Sequence, residues 1–429
     1  MSKATVRTYR HGLGDCHLVT LHGPGDQKFR ILIDCGVILG TPDAPSVMTA
    51  VMDDVLNECG KRVDLLVATH EHWDHVSGFV QAKESFAQLT ADRVWMAWTE
   101  DPQDEQAKEL GGERDDAIKM LQDAAMRMQT LGDAEVPLLT SLLEFQGSAG
   151  RGTTKAGLEA VRAKGLPRYC DPKDAPFEVP GSAARIFVLG PPRDPKLLKK
   201  IRPSPREPET YSLAMADFKD SVLPSLGASD SDQIPFSTLY RIPLDRAKSE
   251  PFFQQHYWDT EDWRRIDVAW MGDATQFALA LDSLTNNTSL VLAIELDEDE
   301  VLLFAADAQV GNWLSWGECH WDVNGRKVTG HDLLRRTVLY KVGHHGSYNA
   351  TLKAQGLELM ESLQTAVIPV DHAMALKKKW GAMPLDGLIA ALSKSASGAK
   401  RTVIRTDKPL PEGVGTQVRS TELFVEVDI

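Results

Sequence analysis

The sequence predicts an α/β chain: an αββα sandwich of two mixed β-sheets packed face to face, with helices outside and a large, partly helical insertion. Three observations predict it. Short apolar strands alternate with amphipathic helical stretches from residue 1 to about 190, and again from about 285 to 429. The proline-rich, polar stretch 194–250 between these halves marks an insertion. The strand-like run Val63–Thr69 opens directly into a loop holding three histidines, His70-Glu71-His72-Trp73-Asp74-His75.

Each element has a local reason. Residues 4–35 read as short strands broken by the turn signal Gly23-Pro24-Gly25-Asp26. Asp43 to Gly60 reads as a helix, with Val47, Val51 and Val55 at helical spacing and Gly60 to end it. Val76–Leu89 reads as a covering helix and Val94–Trp98 as a strand. From Glu113 to Leu131, Ala117, Ile118, Leu121, Ala124, Ala125, Met128 and Leu131 form one apolar stripe, read as packing. Residues 136–170 suggest further helices and a Gly-rich loop at 147–152, and Ala184–Gly190 a strand stopped by Pro191-Pro192. The proline-rich, polar stretch 194–250 suits a long excursion or lid. A helix from Trp263 to Leu284 leads into strand 289–296. The last elements expected are helix 352–363, strand 365–370, helix 384–394, strand 401–405 and strand 422–428.

Composition sets bounds. No window approaches 18 uninterrupted apolar residues, so no membrane helix is expected. The start, Met1–Arg7, has no apolar signal core. Five scattered cysteines (Cys16, Cys35, Cys59, Cys170, Cys319), without a Cys-x-x-Cys pair, argue for reduced thiols and a cytoplasmic location. A net charge of -14 pulls against a simple nucleic-acid binder, which needs a basic face. Two basic runs soften that: Arg193–Arg206, with six basic residues against Asp194, and Lys377-Lys378-Lys379 beside Trp380. Solvated loops explain both runs as well.

The hexapeptide carries the chemistry. Imidazole and carboxylate are ligands that Zn²⁺, Fe²⁺ and Mn²⁺ accept. His70 and His72 can hold one ion, Asp74 and His75 a second. The bland alternative, a histidine-rich surface loop, fares poorly because three of the 12 histidines fall in these six residues beside an aspartate.

The hexapeptide resembles the signature of the metallo-β-lactamase-fold hydrolases. Gly12-Leu13-Gly14-Asp15-Cys16, followed by Ile31-Leu32-Ile33-Asp34-Cys35-Gly36, is similar to the paired opening strands of the competence-type (ComEC-like) branch. Asn286–Leu292, Val301–Asp307 and Val338–Ser347, the last with its His-His-Gly-Ser turn, resemble later strands of that branch. The matches run from about residue 4 to 350, with little resemblance in roughly 80–285.

The resemblance implies a single metallo-β-lactamase-like domain over 1–429, with insertions within about 100–285 over the metal-bearing rim. It implies a dinuclear metal-dependent hydrolase holding two divalent ions, Zn or Mn, whose bridging hydroxide is the nucleophile. Asp307 would bridge the ions, and a lone buried aspartate after an apolar run is otherwise costly. His344 is the expected late ligand and His345 the hydrogen-bond donor to the leaving group, though the two could exchange roles. Asp74, also a ligand, and His345 are the expected catalytic residues. Asp34 is read as an acceptor orienting an imidazole. Many family members carry a further histidine before the bridging aspartate; here only His256 lies in that interval, so water or Asn287 would complete the first ion's shell. Ala305-Ala306-Asp307 stands where Gly-Asp is usual. Trp313, Trp316 and Trp321 with His320 are read either as an aromatic wall for a base or ring, or as core. Lys378 is a candidate backbone contact.

The expected substrate is a phosphodiester, with DNA or RNA among the partners and no membrane. Two alternatives stand beside it: a hydrolase of a small ester, lactone, thioester or β-lactam, which the acidic charge favours, and a catalytically silent metal-binding partner protein. Oligomeric state, substrate identity and the choice of metal are not legible.

Overall fold

The computed structural model describes residues 2–429 except 132–138, 141, 144–152, 201–241, 261–265, 298, 348, 379, 381–382 and 395–400. The chain divides into two compact units: Met1–Glu113 with Glu144–Pro203 and Ser283–Ile429, and Arg114–Leu143 with Ser204–Asp282.

Two large sheets organise the first unit. Their strands, in chain order, are β1 (Ala4–Tyr9), β2 (Cys16–His22), β3 (Lys28–Cys35), β4 (Leu65–Ala68), β5 (Val94–Ala97), β6 (Pro167–Cys170), β7 (Phe177–Glu178), β8 (Arg185–Gly190), β9 (Val291–Glu295), β10 (Val301–Phe304), β11 (Thr337–Lys341), β12 (Thr365–Ile368), β13 (Thr402–Arg405), β14 (Val418–Ser420) and β15 (Phe424–Asp428). The first sheet runs β14-β15-β1-β2-β3-β4-β5-β6 and the second β13-β12-β11-β10-β9-β8-β7. Both are mixed in the same way. From β14 to β3 neighbours pair antiparallel, and from β3 to β6 parallel. From β7 to β10 they pair antiparallel, and from β10 to β13 parallel.

Side-chain alternation explains the layering. Ile31, Ile33, Leu65 and Val67 meet Leu292, Ile294, Leu302 and Phe304 in one buried cluster shared by the two sheets. Their neighbours Leu32, Leu66 and Ala68 turn the other way, onto helix Ala44–Cys59 and the helices after the hexapeptide. Val291, Ala293, Val301 and Leu303 do the same in the second sheet, against Val310, Leu333 and Leu334. Strands buried on both faces read as continuous apolar runs, which is why they stand out in the sequence. The result is a mixed α/β fold compatible with a helix–sheet–sheet–helix sandwich.

In the second unit, Ala117, Leu121, Ala124 and Met128 pack with Ala274, Phe277, Ala278 and Leu281, so the apolar stripe is packing. No helix among the described residues is long and apolar enough to cross a membrane.

Several expectations need correction. β8, read as part of the first half, lies in the second sheet beside β9, and the C-terminal β15 pairs with β1 in the first. Helix 352–363 is a short turn, Leu357–Leu359. Wide loops such as Leu357 N to Leu352 O (2.8 Å) bury Leu352, Leu357, Met360 and Leu363 without a helix. Of the helices expected within 136–170, Thr154–Arg162 is one, and β6 follows it as a strand. The loop at 147–152 and most of the lid stretch 194–250 lie outside the described residues.

Candidate metal centre

The site lies where β3, β4, β10 and β11 end. Close backbone approach builds it first. Gly14 and Gly36 lie against the hexapeptide: a Cβ on Gly14 would meet Gly36 O at 2.2 Å, and one on Gly36 would meet the Asp74 carbonyl carbon at 2.5 Å. Asp15 N donates to Asp74 O (3.0 Å) and Gly36 N to Asp15 O (3.0 Å), so the two glycine-bearing turns carry the histidine loop. Non-glycine residues in the left-handed region gather here too: Asp34 (φ 56°), Ala306 (φ 47°), His344 (φ 41°) and His345 (φ 53°). Such backbone costs of order 1–3 kcal/mol per residue and persists where surrounding contacts over-determine it. Ala306 takes a positive φ that glycine adopts with less strain.

The donors then converge. Asp74, His75, Asp307 and His345 form one group, and His70, His72 and Asp307 another, with ligand atoms in each within 4.8 Å of one another. Asp307 belongs to both. His75 Nε2 is 3.2 Å from Asp307 Oδ2 and 3.9 Å from Asp74 Oδ2. His345 Nε2 is 3.0 Å from Asp74 Oδ2 and 3.7 Å from Asp307 Oδ2. His70 Nε2 and His72 Nδ1 are 3.1 Å apart. All six side chains are fully buried.

Outer partners fix the imidazoles. Asp34 accepts from Thr69 N (2.8 Å), Thr69 Oγ1 (2.6 Å) and His75 Nδ1 (2.8 Å). With its own proton given to Asp34, Thr69 Oγ1 accepts from His70 Nδ1 at 3.1 Å, leaving Nε2 bare toward His72. His345 Nδ1 donates to Pro369 O at 2.9 Å, which turns Nε2 to the carboxylates. In each case the bond on one ring nitrogen presents the other to the cluster.

The electrostatics are those of a cation site. Burial works against charge on His75, but Asp307, Asp74, Asp34 and Asp15 hold its imidazolium well above the ordinary range. His345 is likewise raised against burial, by Asp307 and Asp74. Burial lowers His70, helped by His75 and His72, and takes His72 down to about 3. Burial opposes the charged form of Asp307 and Asp74, yet neighbouring imidazoles, His75 foremost, keep both below the usual carboxylate range. His75 Nε2, Asp74 Oδ1, Asp15 Oδ1 and both Asp307 oxygens are buried without a hydrogen bond. Convergent, orphaned oxygen and nitrogen donors are what divalent transition ions fit.

The expected site residues sort unequally. His70, His72, Asp74, His75 and Asp307 come together, with Asp34 against His75. His345, not His344, faces the carboxylates. His344 Nδ1 instead meets Ser347 Oγ at 2.9 Å and Gln309 Nε2 at 3.4 Å, and burial lowers it to about 4. The left-handed backbone at 344–345 sends the two rings apart, their centroids 6.0 Å distant. Asn287 joins neither group: its Nδ2 donates to Leu198 O and Lys200 O, and its Oδ1 accepts from Asn312 N. Trp313 and Trp316 are no substrate wall. They stack on each other at 3.9 Å in the core, their indole N–H groups bound to Ala308 and Ala350 carbonyls and to Asn312 Oδ1. Trp321 packs edge-on to Phe187, and His320 is exposed. His256 is exposed, its ring 5.0 Å from Phe252. Lys377 is exposed and Lys378 half-buried with its Nζ beside Gly40; Lys379 lies outside the described residues. Arg193, from the other basic run, is tied to Asp104 and Asp171. None of the five cysteines joins a donor group.

Three residues carried no assigned role: Thr69, Asp15 and Lys341. Asp15 and Lys341 are buried and ion-paired at the rear of the cluster. The signal available was a lysine inside an otherwise apolar strand run, Val338–Val342, and the aspartate of the Gly-x-Gly-Asp turn. No family model, curated protein or solved structure matches the chain.

Proposed function

We propose that the chain is a dinuclear metal-dependent hydrolase of the metallo-β-lactamase fold, acting on phosphodiesters. The observation that supports this most is Asp307: one carboxylate with both oxygens unbonded, shared by two groups of buried donors. A structural site needs one closed ion; two donor groups around a shared carboxylate suit a hydrolytic pair. His70, His72 and Asp307 would hold one ion, and Asp74, His75, His345 and Asp307 the other. Two divalent ions so held would neutralise phosphoryl charge and make a water acidic enough to act near neutral pH. His344 is the substrate-side imidazole, neutral because it is buried and braced by Ser347, Asn349 and Gln309. Ions held by these residues would supply local positive charge for a phosphate, so the net charge of -14 is compatible with phosphodiesters.

The test is direct. Pure protein given Zn²⁺ or Mn²⁺ is expected to hold about two equivalents. It should cleave bis-p-nitrophenyl phosphate, single-stranded DNA or RNA faster than a chromogenic β-lactam or a lactone. Asp307→Ala should lower the rate by more than the roughly 10–100-fold typical of an outer partner, and should empty both positions. An Asp307→Ala protein that keeps two ions and full activity would remove the shared-carboxylate reading. Lactone or thioester turnover with no phosphodiesterase activity under any metal would transfer the site to the small-ester alternative.

A further inference from the structure

Lys341 ends β11 with its side chain 2% exposed. A buried ammonium is costly unless paired and hydrogen-bonded, so its surroundings define its purpose. Nζ donates to Ala306 O at 2.8 Å, pairs with Asp15 Oδ2, and lies 3.6 Å from Asp307 Oδ1. These partners come from two turns, Ala306 and Asp307 from the one after β10 and Asp15 from the one before β2. Ala306, in the left-handed region, precedes the shared carboxylate, and its carbonyl also accepts from His344 N at 3.0 Å. Asp15 sits in the turn that carries the hexapeptide through Asp15 N to Asp74 O. Asp15 also lies 3.9 Å from His75 Nδ1 and 3.8 Å from His345 Nδ1. One ammonium therefore ties the turn after β10 to the turn before β2, and the turn after β11 joins them through His344 N on the same Ala306 carbonyl.

We propose that Lys341 is a positioning residue, a built-in cation that holds Asp307 and Asp15 in place so that two metal ions can be seated. It acts from behind the carboxylates and touches no reacting atom. Four aspartates, Asp15, Asp34, Asp74 and Asp307, lie within 4 Å of His75, and a fixed positive charge beside two of them offsets part of their mutual repulsion. Lys341 supplies that charge without occupying a ligand atom of His70, His72 or His345. This inference rests on the dinuclear reading above.

Zn²⁺ binding to the full-length chain, measured by competition with a chromogenic chelator, tests it alongside circular dichroism to confirm folding. Lys341→Met, similar in length but uncharged, should lose at least about tenfold in affinity, the scale of a lost outer partner. Lys341→Arg, which keeps charge and donors, should retain affinity to within threefold. A space-filling role gives the opposite order, because methionine is the gentler replacement in a packed interior. Equal affinity of Lys341→Met and wild type, or the reversed order, overturns the proposal and leaves the dinuclear reading intact. If Lys341→Met does not fold, Asp15→Asn carries the test with the same expected loss, and affinity within twofold of wild type overturns it. A wild-type chain that binds no Zn²⁺ overturns the dinuclear reading and this inference with it.

Discussion

The two sheets change from antiparallel to parallel pairing at β3 and β10, and each change sets an aspartate beside a histidine-rich turn. Asp34 closes β3, with His70–His75 after its parallel neighbour β4. Asp307 follows β10, with His344-His345 after its parallel neighbour β11. Both aspartates are buried, and each turn has a left-handed residue, Asp34 or Ala306. Yet their roles diverge. Asp34 has its oxygens filled by hydrogen bonds from Thr69 and His75, whereas the Asp307 oxygens have only looser ion-pair neighbours, His75 Nε2 at 3.2 Å and Lys341 Nζ at 3.6 Å. A carboxylate whose lone pairs are occupied orients its neighbours; one whose lone pairs are open is available to cations. Position in the fold brings the acid there, and what surrounds it decides its work.

That contrast can be broken by experiment. The largest effect should separate the histidines after β11. His345→Ala is expected to lose an ion and nearly all hydrolysis, while His344→Ala keeps two ions and loses rate; metal analysis of both variants decides, and two ions in His345→Ala would return the ligand role to His344. Next in size, Asp34→Asn should cut Zn²⁺ affinity by about 10–100-fold yet still reach two equivalents at saturation. Complete loss of one ion in Asp34→Asn would make it a ligand and erase the distinction from Asp307.

The smallest effect concerns protons. His75 and His345 are held protonated above the ordinary range by their carboxylates, and an ion at each Nε2 must displace that proton. At a pH below the ordinary imidazole value of about 6.5, seating the metals should therefore release protons from both rings. Affinity should fall as pH drops, and the release should vanish once pH exceeds both raised values. Calorimetry in buffers of different ionisation enthalpy counts the protons, and zero release at about pH 6, below the ordinary imidazole value, would contradict the imidazolium assignment.

Much of this was legible because the signals are local. β4 and the hexapeptide are contiguous, and helix Ala44–Cys59 ends at Gly60, which takes the left-handed C-cap as its position suggests. The illegible parts depend on partners distant in sequence. Whether His344 or His345 faces Asp74 turns on two backbone torsions and on the Pro369 carbonyl, 24 residues away. The tryptophans after Asp307 fit a wall or a core equally by spacing; Asn312, which binds Trp316 Nε1 and the Asn287 and Ser289 carbonyls, commits that segment to the interior. The pairing of β15 with β1 joins the two ends of the chain, which no local pattern announces.

Complete burial of the donor cluster has a kinetic consequence. His70, His72, Asp74, His75, Asp307 and His345 are each buried, so a chelator, like a substrate, would reach an ion seated among them only when the surrounding structure opens. Stripping by a strong chelator should then proceed at the opening rate and become independent of chelator concentration.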